Sequence, residues 1–204
     1  MGTWDVSEVT DFSKLFSSDR MKALTPPLDA TAFNEDIGCW NTSGATTMEE
    51  MFYELPSFNQ ESISKWDTCK VTTMKKMFRG VKESDDSSSS EFNAPIGSWC
   101  TSSLANIQSM FYRAKNFNQP IGSWNTESLI DMSEAFAKAT SFNQNLNKWK
   151  INKVNNPESM FFGASSFNGD VSTWNTASVM SIFSMFRDAS SFNGDVSKWT
   201  TDNV

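Results

Sequence analysis

The chain has 204 residues and a net charge of −7, with 17 Phe, 8 Trp and 11 Met but no His. The acidic balance argues against nucleic acid, whose phosphates need a basic face, and the missing His removes the commonest general base and metal ligand. No run of 18 apolar residues spans a membrane, and the opening "MGTWDVSEVT" lacks the basic and apolar stretches of a signal peptide.

Trp4, Val6, Val9 and Phe16 open the chain, and a polar insertion near 17–32 follows. Phe33-Asn34 then leads to Ile37, Trp40, Thr42, Ala45 and Phe52, and Phe58-Asn59 leads to Ile63, Trp66, Thr68, Val71 and Phe78. A second insertion near 79–91 interrupts the series, with Ser87–Ser90 expected to be mobile. From Phe92-Asn93 onward the order repeats through Trp99, Trp124, Trp149, Trp174 and Trp199, the last four intervals being 25 residues each. Phe stands twelve residues after each of the first seven Trp. Three landmarks in fixed phase define a repeat array.

The period changes inside each repeat. Trp is followed two positions on by a β-branched residue, with polar neighbours on either side, which predicts a short strand. Val71, Met74, Met77, Phe78 and Val81 then fit one face of a helix of about three turns, with Thr or Ser ("VTTM", "ATTM") as its N-cap. Stacking makes the strands a parallel ladder and the aromatic residues a continuous column. Asn34, Asn59, Asn93, Asn118, Asn143, Asn168 and Asn193 are expected to form a structural ladder, each amide serving turn backbone in the next coil.

The spacing Ile121, Trp124, Thr126, Leu129 resembles the core of leucine-rich repeats. "VTTMKKMF" and "FNQPIGSWNTESL" are similar to the BspA-like leucine-rich-repeat surface protein family, including the 25-residue repeats of Mycoplasma-type surface lipoproteins. That resemblance implies an α/β, right-handed leucine-rich-repeat-like solenoid, one short parallel strand and one short helix per repeat, at a cell surface or outside the cell. Leu15 and Ala135 depart from its pattern by replacing the Met before Phe. The domain expected is a single array, 1–204, of about seven coils and a fragment of a longer one.

With Trp facing inward, its neighbours face outward. Asp5, Asn41, Asp67, Lys65, Ser123, Asn125, Lys148, Lys150 and Asn175 then line a strand face suited either to binding or to solvation. Asn145, Asp170 and Asp195 stack at equivalent positions, as calcium ligands or as exposed turn formers. Cys69 and Cys100 would lie one strand and two residues apart, about 8 Å between Cα atoms, so free thiols are expected for them and for Cys39. The "NTS" at Asn41 is a glycosylation acceptor pattern of low specificity.

No cluster of nucleophile, base or paired carboxylates stands out, so the chain is not read as an enzyme. The expected function is a non-catalytic adhesion or binding module for a protein or glycan, without nucleic acid or a transmembrane segment. The alternative is a structural spacer or matrix repeat, calcium-stabilised; end-to-end self-association fits either.

Overall fold

A computed structural model describes residues 4–29, 31–81 and 89–204. Coils stack along one axis, and one hydrophobic cluster runs through them from Val6 to Met185. The landmarks occupy the positions the repeat requires: Trp40, Trp66, Trp99, Trp124, Trp149 and Trp174 are buried, as are Phe52, Phe78, Phe111, Phe136 and Phe161.

The leucine-rich-repeat expectation, a strand plus a helix in every repeat, is overturned, and with it the α/β class. Where a strand was predicted, the backbone turns: Trp124 N–H donates to Ile121 O at 3.1 Å, and Leu129 N–H to Thr126 O at 3.1 Å. Among the described residues parallel pairing is confined to five single bridges, joining Asp11, Thr47, Thr73, Asn106, Asp131 and Asn156 in succession.

The predicted helix is a ribbon of turns. Met74, Lys76, Phe78 and Gly80 donate their N–H groups to Asn106, Gln108, Met110 and Tyr112 of the next coil. Met77 and Arg79, between them, donate three residues back to Met74 and Lys76. An α-helix would send every one of these amides four residues back. Left-handed backbone at Lys76 (φ 53°), Ser109 (φ 52°), Arg113 (φ 59°), Glu134 (φ 54°) and Lys138 (φ 58°) prevents that. Thr47 and Thr73 of the expected N-cap stretches do cap, but they cap turns, and Asp11, Asn106, Asp131, Asn156 and Ser181 at the equivalent positions do the same, each accepting the N–H two residues on.

The first insertion is not all loop. It carries a short helix, α1, at Ser18–Lys22, whose N-cap Ser17 accepts Arg20 N–H at 3.3 Å. A single 3₁₀ turn covers Glu61–Lys65. Residues 82–88 of the second insertion, among them Ser87 and Ser88 of the stretch expected to be mobile, lie outside the described residues. Ser90 is buried and held, donating to Arg113 O at 3.2 Å and accepting Phe92 N–H at 3.2 Å.

Two columns of Phe fill the core. Within a coil the two rings lie face to face, Phe111–Phe117 and Phe161–Phe167 both at 3.8 Å. Between coils they continue at 5.5 Å for Phe111–Phe136 and 5.9 Å for Phe117–Phe142. The separations between coils are in the range that aromatic quadrupoles favour.

Three polar ladders tie the coils together. In the Asn column, the amide oxygens of residues 34, 59, 93, 118, 143 and 168 accept the N–H of the next Asn at 2.8–2.9 Å. Each indole from Trp66 to Trp199 donates Nε1–H to the carbonyl three residues before the preceding Trp, as in Trp149 to Ile121 O at 3.0 Å. Buried Thr42, Thr68, Thr101, Thr126 and Thr176 donate to the carbonyl just after the next Trp. These buried indoles and hydroxyls are thus paired, as burial demands. The coils approach so closely that a Cβ on Gly122 would stand 2.5 Å from Asn145 O.

Candidate binding surface

The nine residues predicted to line a binding face are all exposed. Five of them already have work in the backbone: Asp5, Asn41, Asp67, Asn125 and Asn175 accept the N–H of Ser7, Ser43, Cys69, Glu127 and Ala177 at 3.0–3.1 Å. Ser123 donates to Gly97 O at 3.3 Å, and Lys150 pairs with Glu127. This column closes turns, which is a different reason for short polar side chains than ligand recognition. A shallow groove of about 340 Å³ between Pro120 and Lys148 brings Ser123, Asn145 and Lys148 together. Lys150 and Asn125 border a second, of about 190 Å³.

Asn145, Asp170 and Asp195 are turn closers of the same kind, accepting the N–H of Asn147, Ser172 and Ser197 at 2.9 Å each. Those amide bonds hold the Asp170 and Asp195 carboxyls below the ordinary value. Among the described residues no group of three or more His, Cys, Asp or Glu side chains could hold a metal ion.

The cysteine expectation is corrected. Cys69 and Cys100 form a disulfide with their Cα atoms 4.7 Å apart. The larger separation came from ideal strand spacing, and the chain here turns instead of extending. Cys39 is exposed and outside that bond.

Around the coil from Trp, thirteen residues on, lies a column the sequence reading passed over: Tyr53, Arg79, Tyr112, Ala137, Phe162 and Arg187. Arg79 is 9 % exposed, and its guanidinium sits 4.3 Å over the Tyr112 ring and 6.0 Å from that of Tyr53. Burial, then the neighbouring Glu54, pushes the Tyr53 hydroxyl up to about 12. Arg187 lies 5.8 Å over Phe162, as does Lys138. Both tyrosines of the chain fall in this column, which was the available signal.

Beside it, ten residues after Trp, runs a column of left-handed residues that begins with charges of alternating sign. Glu50 pairs with Lys14 at 3.4 Å and Lys76 at 2.8 Å. Burial pushes the Glu50 carboxyl up, and the two lysines more than reverse it. Farther on, Glu134 accepts the Ser109 hydroxyl at 2.8 Å and has no ion pair among the described residues. Ser159 and Ser184 follow, and their small side chains open a groove of about 230 Å³ bordered by Tyr112, Glu134, Phe162, Phe183 and Arg187, with Ala137 as its floor. Phe183 is 69 % exposed and Met180, on the same coil, 70 %.

No helix among the described residues is long and apolar enough to cross a membrane. The profile of a family described as "Mycoplasma protein of unknown function, DUF285" matches residues 1–89, 20–149 and 130–204. No curated protein and no solved structure matches the chain.

Proposed function

The chain belongs to the DUF285 family of Mycoplasma proteins, and on that premise we propose that it is a non-catalytic adhesion or recognition module at the cell surface, binding a protein or a glycan. The surface role is the one implied by the BspA-like resemblance, kept here without the leucine-rich-repeat fold. The observation that carries it is the exposed aromatic and cationic face, where Phe183 stands in solvent in one groove with Phe162 and Arg187, and Met180 is exposed on the same coil as Phe183. Exposed apolar side chains among charges mark surfaces that meet partners, and aromatic and Arg side chains dominate such contacts. The Cys69–Cys100 bond supports an oxidising, extracellular setting.

A panel of matrix proteins and glycans, probed with the wild-type chain and with Phe183→Ser, tests the reading. Binding to a panel member that drops with Phe183→Ser is expected; no binding to any member sinks it. Turn closures and ladders that recur through the coils favour, as a second reading, a spacer that supplies length. Repeating the panel with chelator decides whether calcium contributes, and light scattering over a range of concentrations tests self-association.

A further inference from the structure

The column thirteen residues after Trp alternates aromatic and cationic side chains: Tyr53, Arg79, Tyr112, then Phe162, Arg187. The alternation breaks once. Between Tyr112 and Phe162, where a cation would continue the order, stands Ala137. Its backbone is the same as at Arg79: Ala137 N–H donates to Glu134 O at 3.0 Å, and Arg79 N–H to Lys76 O at 3.2 Å. Tyr112 and Phe162 are two coils apart, as Tyr53 and Tyr112 are, so the two ring pairs are spaced to take the same kind of group. Ala137 is buried yet stands outside the main hydrophobic cluster, as the floor of the groove.

Arg187 already lines the groove and Lys138 also sits 5.8 Å over Phe162, so the lining charge that suits an incoming cation is Glu134. Glu134 lies on its rim with no ion pair among the described residues, whereas the corresponding Glu50 has two lysines. The whole chain carries −7.

We propose that the notch between Tyr112 and Phe162 receives an arginine side chain of a partner protein, its guanidinium taking the place relative to the rings that Arg79 takes between Tyr53 and Tyr112, with Glu134 as its counter-charge. A planar guanidinium suits this seat better than an ammonium, because it stacks on rings and binds a carboxylate through two parallel N–H groups. The inference rests on the binding reading above and names the chemistry of the partner group.

The test uses the whole chain and a blocked Gly-Arg-Gly peptide as probe, followed by NMR at the Tyr112 and Phe162 ring signals. The peptide with citrulline in place of arginine, nearly the same shape but uncharged, is the comparison. Saturable shifts with the arginine peptide are expected, with affinity about tenfold above that of the citrulline peptide. Ala137→Arg supplies the missing side chain from within and should abolish the shifts. Should that variant not fold, Glu134→Gln and Phe162→Leu decide, each weakening binding by about three- to tenfold.

Absence of shifts, equal affinity for the two peptides, or unchanged binding by all folded variants overturns the assignment. The two proposals fail separately. If a panel partner binds Ala137→Arg as well as the wild type and is not displaced by the arginine peptide, the notch assignment falls while adhesion stands. If the peptide binds as expected but no panel member does, the notch assignment stands and adhesion falls.

Discussion

Replacing Phe111 by alanine tests whether the aromatic stack holds the array together. Its ring is fully buried and meets Phe117 at 3.8 Å, Phe136 at 5.5 Å and Phe78 at 5.9 Å. Deleting a buried Phe costs about 3–5 kcal/mol, most where the surroundings cannot collapse into the space. Here the neighbouring rings belong to coils fixed by their own ladders, so a loss of about 4 kcal/mol is expected. At about 2–4 °C per kcal/mol for a chain of this size, Tm should fall by about 8–16 °C.

Phe111→Leu separates stacking from volume. It keeps most of the apolar bulk, a change that usually costs under about 1.5 kcal/mol, but it removes the ring from several aromatic pairs, each worth about 0.5–1.5 kcal/mol. A loss of about 2 kcal/mol is expected, against a smaller loss for Phe186→Leu, whose ring is only half-buried. Urea unfolding followed by Trp fluorescence reads both. If Phe111→Leu stays within about 0.5 kcal/mol of wild type, or costs no more than Phe186→Leu, stacking is not what stabilises the core.

Asn118→Ala removes the acceptor for Asn143 N–H (2.9 Å) and Gln144 Nε2–H (2.8 Å), and should cost about 1–2 kcal/mol in urea unfolding, with Asn118→Asp recovering much of it. Equal loss in both variants would mean that the amide oxygen is not what matters. Reducing the Cys69–Cys100 bond, which joins residues 31 apart, should lower stability by at most about 3.7 kcal/mol in the chain-entropy picture. The Thr68-to-Cys100 and Ser103-to-Cys69 bonds should keep the reduced chain folded, which circular dichroism with reductant checks. Asp170 and Asp195 have carboxyls held below the ordinary 3.8, so the stability they contribute is present above that value and is lost as pH falls through the depressed folded value. Asp170→Asn with Asp195→Asn should leave stability at neutral pH nearly unchanged and flatten that acid loss, since Asn145 closes the same turn. An acid unfolding curve identical to wild type would refute the assignment.

What was legible in the sequence is what side-chain burial alone decides. The period and the inward Trp and Phe follow from landmarks that a single coil cannot bury and a stack can, and the mostly exposed Asn column from its recurrence after each Phe. What the sequence could not settle was where each backbone N–H goes. Val71, Met74, Met77, Phe78 and Val81 have the spacing of a helical face, yet the amides of Met74, Lys76 and Phe78 cross to the next coil. A ribbon of turns with a left-handed residue at Lys76 repeats its buried positions much as a helix does, so the apolar pattern does not distinguish the two.

The same ambiguity misplaced the cysteines, because the distance between Cys69 and Cys100 depends on whether the chain turns or extends. It also hid the turn-closing role of the exposed column beside Trp, since Asn125 and Asp67 look alike as ligand groups and as turn closers until their partners are seen. Arg79 between Tyr53 and Tyr112, and the notch at Ala137, belong to the tertiary structure alone: residues about 25–33 positions apart become neighbours only when the coils stack. Composition and period determined what had to be buried, and the stacking of coils decided the hydrogen-bond partners and the surface.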